Sequence, residues 1–112
     1  MIPLWAITPE KINEAVRKIV DFEQPKSVIL FGSAARGNTN IHSDVDFLVV
    51  TRGEVKSPRK ESVRIRQALE GVSMPMDILV ISEKRLKEVG DQPGLVYREA
   101  LRSGKVVYDA AA

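Results

Sequence analysis

The sequence predicts an α/β or α+β domain in which helices cover a single sheet. Short apolar runs of strand length alternate with longer segments in which apolar residues recur every three or four positions. Ser, Thr and Pro stand where these longer segments begin, and Gly or Pro where they end. The 112 residues suffice for one modest core. We expect residues 1–109 to form one domain and residues 110–112 to be a tail or a remnant of cloning.

Capping residues define the predicted helices. Thr8-Pro9 and Ser57-Pro58 each place a side-chain cap before a proline, an arrangement that begins helices. Apolar residues between Ile12 and Val20 share one face of the first helix. The apolar positions of the second helix are Val63, Ala68, Leu69 and, as a further candidate, Ile65. We predict helices over residues 9–24, 57–70, 82–89 and 95–102, and one or two helical turns over 33–37.

Four short apolar runs predict the strands. They cover residues 27–31, 44–50, 76–81 and 106–108. Each is bounded by Gly, Pro or polar residues, so we expect these runs to form the buried sheet.

Composition narrows the chemistry. The chain has no cysteine and one histidine, which argues against disulfides and against a zinc site. A bound metal should therefore be a hard cation held by carboxylate oxygens. We see no signal peptide and no segment near the ~20 apolar residues that cross a bilayer. We expect a cytoplasmic protein without membrane contact, and a net charge of +2 gives no reason to expect nucleic-acid binding.

Three aspartates are candidate metal ligands. Asp44 and Asp46, spaced i and i+2 on a strand, point to the same face, and two like charges side by side favour a cation between them. They could instead form a solvated edge, but Phe47–Val50 makes the strand look buried. Asp77 begins another apolar strand. It is either a strand-end residue facing water or a third ligand that could accept a proton from an attacking hydroxyl.

The Gly32-Ser33 turn is a candidate phosphate site. It follows a buried strand and precedes a short predicted helix, so backbone N–H groups and the Ser33 hydroxyl could approach an anion. Alone, the pair is typical of a simple turn. Its closeness in sequence to the aspartates favours the phosphate hypothesis.

Gly-Ser-x3-Gly-x5-Ser-Asp-x-Asp, with a later strand aspartate, resembles the DNA polymerase beta-type nucleotidyltransferases. The small size most resembles the minimal nucleotidyltransferases, the antitoxin partners of HEPN-domain toxins. The match by motif covers Gly32 to Asp46 and Asp77. The resemblance implies a mixed sheet covered by helices, and two Mg²⁺ ions on Asp44, Asp46 and Asp77. It also implies ATP phosphates on Gly32 and Ser33, with Gly37 and Ser43 as further nucleotide-binding residues of the motif.

The resemblance implies that AMP passes from ATP to a hydroxyl of a partner, with release of pyrophosphate. So small a domain leaves little chain to enclose a small acceptor, so we expect the acceptor to be a protein. The resemblance implies that this partner is a HEPN toxin, modified on a tyrosine. Two alternatives remain. The chain could be an antitoxin that neutralises its partner by contact alone, or a small-molecule nucleotidyltransferase. A homo-oligomer is compatible with the sequence.

Several basic residues are weaker candidates. Arg36 could reach the triphosphate or form a surface salt bridge. His42 falls in the same loop, where we expect it to face solvent. Lys56, Lys60 and Arg64 are spaced four apart and predict a basic stripe on one helix face. Such a stripe is either a solvated face or a docking surface for an acidic partner.

Overall fold

The computed structural model describes residues 6–32 and 44–111. In chain order the elements are α1 (Pro9–Glu23), β1 (Ser27–Phe31), β2 (Val45–Thr51), α2 (Pro58–Ala68), β3 (Met76–Ser82), α3 (Glu83–Val89), α4 (Val96–Ser103) and β4 (Lys105–Asp109). The predicted α+β class is confirmed. Each of the four main helices and four strands forms close to its predicted bounds. The helical turns predicted over 33–37 lie outside the described residues.

The sheet is mixed, with strand order β3-β2-β1-β4. β1 runs antiparallel to both β2 and β4, and β2 runs parallel to β3. The parallel pair requires a crossover, which α2 provides. β2 lies inside the sheet, and all of its residues except Asp46 are buried.

Helices cover both faces of the sheet. α1 and α2 pack on one face through Ile19, Ile65 and Leu69, where they meet Phe47 and alternate β2 residues. α3 and α4 contribute Val89 and Ala100 to the other face, which includes Leu48 and Val50 of β2. Successive residues of a strand point to opposite faces, so Asp46 lies on the same side as Leu48, the α3–α4 side.

The predicted capping residues are confirmed. The Thr8 hydroxyl accepts a hydrogen bond from the Lys11 N–H at 3.2 Å, and the Ser57 hydroxyl accepts one from the Lys60 N–H at 3.3 Å. Each cap satisfies a backbone donor that the first turn of a helix leaves unpaired.

The predicted apolar side of α2 was partly wrong. Val63 is 49% exposed, whereas Ile65 is fully buried against the core. The helix ends at Ala68, and Leu69, just beyond it, is buried. The face that packs on the sheet therefore centres on Ile65 and Leu69, which are four residues apart and lie on one side of the helix.

In the part of the chain that the structure describes, no helix has the length and apolar character needed to cross a membrane.

Candidate functional site

The ends of three neighbouring strands bring the central candidates into one row. Phe31, the last residue of β1, pairs with Asp46 of β2. Asp46 in turn lies opposite Asp77 of the parallel strand β3. Gly32 follows Phe31 directly, so the turn and both carboxylates meet at one end of the sheet. We call Asp46 and Asp77 the strand pair.

The strand pair lies on the α3–α4 side of the sheet. Residues in register on neighbouring strands point to the same face. Asp44, two residues before Asp46 and just before β2 begins, is exposed, as is Asp77, while Asp46 is half-buried. The expectation that Asp44 starts the strand was off by one residue, since β2 begins at Val45.

Gly32 is required at its position for two reasons. Its φ of +78° lies in the left-handed region that side chains rarely adopt. A Cβ atom there would also collide with Oδ2 of Asp46. The backbone of the predicted phosphate-binding turn therefore lies directly against a candidate metal ligand.

Negative charge concentrates around Asp46. Burial raises the pKa of its carboxyl, and the carboxylates of Asp77, Asp44 and Glu99 raise the pKa further, in that order. Each neighbour disfavours the charged form of Asp46, and a bound cation would reverse this effect.

Glu99 of α4 was not identified from the sequence. Its neighbour Ala100 is buried against the α3–α4 side of the sheet, which carries Glu99 towards Asp46. An acidic residue in the first turn of a helix is common. The sequence carried no signal for Glu99, because its role depends on where α4 packs.

The carboxylates of the strand pair suit a hard cation that also binds the phosphates of a substrate. Among residues 6–32 and 44–111, no three His, Cys, Asp or Glu side chains form a metal-binding cluster. Mg²⁺ in nucleotide sites is usually held by one or two carboxylates and by substrate phosphates, while the rest of its shell is water. Asp46 and Asp77 in register, beside a glycine turn, fit that donor set.

The remaining predicted nucleotide-binding residues cannot be placed. Ser33, Arg36, Gly37 and Ser43 lie outside the described residues, as does His42. Their expected contacts with the nucleotide stay predictions.

A second pair of carboxyls, Glu23 and Glu61, joins α1 to α2. We call it the helix pair. Burial raises the pKa of Glu23 to about 7, as do a hydrogen bond with Glu61 and its negative charge. The Arg64 guanidinium opposes this rise, and it donates to the Glu61 carboxylate at 3.0 Å. Protonation of Glu23 and the positive charge of Arg64 thus relieve the repulsion between the two carboxyl groups.

The predicted basic stripe does not form as one helix face. Lys56 precedes α2, which begins at Pro58. Arg64 is engaged with Glu61 and also lies over the Phe22 ring, 5.4 Å from its centroid. The stripe hypothesis is therefore wrong as stated, and Lys56 belongs to a different surface.

Comparison with known proteins agrees with this geometry. A family model described as a nucleotidyltransferase domain matches residues 10–107. No curated protein sequence matches the chain significantly.

Three solved structures share the fold. A Sulfolobus solfataricus protein assigned as a nucleotidyltransferase has a TM-score of 0.63 and 19% identity, over 91% of this chain and 80% of that one. A toxin–antitoxin with AMP-PNP has a TM-score of 0.57 and 18% identity, over 86% of this chain and 72% of that one. Spectinomycin adenyltransferase from Enterococcus faecialis, with ATP and spectinomycin, has a TM-score of 0.64 and 18% identity, over 93% of this chain and 57% of that one.

Proposed function

The chain belongs to the nucleotidyltransferase domain family, and from that premise we propose that it transfers AMP from ATP to a hydroxyl group of a partner protein. The observation that carries the proposal is the strand pair, Asp46 in register with Asp77, with the Gly32 backbone against the Asp46 carboxylate. A phosphate-binding turn and metal-binding carboxylates must be adjacent for this chemistry, because the metal is shared between protein and triphosphate.

Asp44, Asp46 and Asp77 would hold Mg²⁺, two ions being expected. When bound, the metal neutralises triphosphate charge and stabilises the leaving oxygen. The Asp77 carboxylate, which is exposed, would accept the proton of the acceptor hydroxyl. That oxygen then forms a bond to the α-phosphorus, the bond from the α-phosphorus to the bridging oxygen breaks, and pyrophosphate leaves.

Gly32 would direct its backbone towards the phosphates. Glycine tolerates the left-handed conformation of this turn and has no side chain beside Asp46. Phosphate oxygens can therefore approach both the backbone and the carboxylate. Ser33, Arg36, Gly37 and Ser43 are proposed to complete the nucleotide site by motif.

The proposed acceptor is a tyrosine of a HEPN-domain toxin, so that the chain acts as an antitoxin. The likeness to a toxin–antitoxin structure with AMP-PNP supports this choice, although at 18% identity that likeness concerns the fold. The same structural similarity also supports the alternative of an antitoxin that acts by contact alone. The likeness to spectinomycin adenyltransferase favours a small-molecule acceptor, and the chain spans 57% of that protein.

One assay distinguishes these candidates. The chain is incubated with ATP, Mg²⁺ and the protein encoded next to it, and the intact mass of that protein is measured. We expect the mass of one or more AMP groups to be added, and peptide mapping should place them on tyrosine. Tight binding without added AMP would favour the contact-only antitoxin. AMP transfer to spectinomycin but not to the neighbour would favour the small-molecule enzyme.

Matched variants test the site. Asp44→Asn with Asp46→Asn should lower AMP transfer by at least about 10³-fold, because both substitutions remove metal-binding charge. Asp21→Asn makes the same chemical change at an exposed position on α1, across the sheet from the strand pair, and should transfer AMP normally. A double variant with wild-type activity would show that the site assignment is wrong.

A further inference from the structure

A cleft of about 610 Å³ lies away from the strand pair, where β3 ends. Val80, Ile81 and Ser82 form part of its wall. Ile81 follows Asp77 by four residues along β3, about 13 Å at the rise of a strand. The proposed transfer reaction assigns no role to the cleft.

The lining combines apolar residues with basic side chains. The apolar residues are Val55, Val80, Ile81, Val89, Leu95 and Tyr97. Lys56 and Arg85 supply two positive charges, and Glu54 supplies one negative charge. Lys56 and Arg85 are exposed, and the ion pair of Arg85 with Glu88 is exposed to solvent, an interaction worth little. Both side chains can therefore turn towards an acidic ligand.

The cleft adjoins a sheet edge, since β3 is the outermost strand on its side of the described sheet. The Pro75 carbonyl accepts from the Val45 N–H at 3.0 Å and so points towards β2. The Met76 carbonyl accepts from the Arg66 guanidinium and so points outward. Successive carbonyls of a strand alternate in direction, so Ile78 and Val80 also point their backbone groups outward, with Val80 at the cleft.

We propose that an extended, acidic segment of a partner protein binds here, pairing with β3 as a fifth strand. Its backbone would bond to the outward groups of Ile78 and Val80. Apolar side chains on one face of the segment would enter the cleft beside Tyr97. Carboxylates beyond the paired residues, where the segment leaves the sheet, would meet Lys56 and Arg85, which outnumber the single acidic residue of the lining. Such a segment would dock a partner along the edge strand that carries Asp77, and the proposal does not depend on the transfer reaction.

A synthetic peptide tests this surface on the full chain. The probe is a fluorescein-labelled octapeptide in which Val and Phe alternate with Thr over six residues and Asp and Glu follow, and fluorescence anisotropy measures its Kd. We expect a Kd of about 10 to 100 μM. The same peptide with Lys in place of the acidic residues should bind at least about tenfold more weakly, because Lys56 and Arg85 would repel it.

Two controls test the charged contacts and the backbone pairing separately. Lys56→Glu with Arg85→Glu should weaken binding of the acidic peptide at least about tenfold, whereas Lys84→Glu with Lys87→Glu, the same charge change on α3 outside the cleft, should not. An acidic peptide N-methylated at every residue has no backbone N–H to donate to a strand edge and should also lose at least about tenfold. Failure of the acidic peptide to bind below about 1 mM, equal binding of the N-methylated peptide, or equal losses in both double variants would each overturn the proposal.

Discussion

The helix pair and the strand pair both bring carboxyl groups together within the described residues, and their surroundings differ. In the helix pair, Glu23 and Glu61 share a hydrogen bond, and the Arg64 guanidinium contacts Glu61 at 3.0 Å. In the strand pair, the carboxylates of Asp77, Asp44 and Glu99 all add to the charge around Asp46. The helix pair lies between two packed helices, whereas the strand pair lies at the end of the sheet beside a glycine turn.

The difference separates a structural contact from a candidate site. Repulsion between carboxylates can be relieved by a proton, by a cationic side chain or by a bound cation. In the helix pair, a proton and a cationic side chain relieve the repulsion. Around the strand pair, the described charged neighbours that shift the pKa of Asp46 are acidic, and a bound cation with its phosphate ligand would relieve their repulsion. The proposed function follows from this contrast.

The largest expected effect is on activity, from one chemical change made at each pair. Asp77→Asn should lower AMP transfer by about 10³-fold, because it removes a proposed ligand and the proposed proton acceptor. Glu61→Gln changes the helix pair in the same way and should leave kcat within about twofold. Rates are measured with α-labelled ATP and the partner protein under saturating Mg²⁺. If both variants lost activity equally, the contrast between the pairs would have no functional meaning.

A glycine substitution should affect both stability and activity at the strand pair. Gly32→Ala forces a side chain into a left-handed conformation and against the Asp46 carboxylate. We expect a loss of at least about 1–2 kcal/mol in the free energy of unfolding, together with weaker ATP binding. Gly53→Ala is the control, since a Cβ there meets nothing within 4 Å, and it should change stability by less than about 0.5 kcal/mol. Urea unfolding and calorimetric ATP titration measure the two effects.

The helix pair predicts a pH-dependent stability. The pKa of Glu23 rises from its ordinary value of 4.5 to about 7 on folding, so the folded state holds the proton more tightly. The resulting stabilisation is complete below about pH 4.5 and is lost as the pH rises to about 7. In Glu23→Gln, the side-chain amide can donate a hydrogen bond to the Glu61 carboxylate at every pH. At pH 8 it should be more stable than the wild type by about 1 kcal/mol, a value reduced for solvent screening.

Melting curves of both proteins between pH 5 and pH 8 check this prediction. The Tm advantage of Glu23→Gln should be small at pH 5 and should grow to about 4–8 °C at pH 8. An advantage that shrank with rising pH would mean that the sign of the Glu23 pKa shift is wrong.

The elements and the strand pair could be predicted because their signals are local. The capping residues Thr8 and Ser57 predicted two helix starts, and alternating or continuous apolar runs predicted the strands. The close approach of Asp46 and Asp77 followed from the motif and is confirmed by their register. Glu99 and the cleft at Val80 depend on how α3 and α4 pack on the sheet, which no short pattern encodes. For α2, the pattern favoured Val63 and gave Ile65 only as a further candidate, whereas packing against the core buries Ile65 and leaves Val63 exposed.

The smallest expected effect is stabilisation by the metal. At twice its Kd, Mg²⁺ with a non-hydrolysable ATP analogue should stabilise the wild type by about 0.6 kcal/mol, because it binds only the folded chain. Asp46→Asn with Asp77→Asn should lose this gain, and Glu23→Gln should keep it. Thermal melts with and without the ligands measure the difference. An equal shift in all three proteins would mean that the ligands act elsewhere.

Paramagnetic broadening by Mn²⁺ tests the central claim most directly. Mn²⁺ is titrated below one equivalent into the ¹⁵N-labelled chain, which carries a non-hydrolysable ATP analogue, and amide signals are followed by NMR. The account predicts that the amides of Gly32, Asp46 and Asp77 broaden first, while those of Glu23 and Glu61 stay sharp. Broadening centred on the helix pair, or spread evenly over the acidic surface, would contradict the assignment of the strand pair as the cation site.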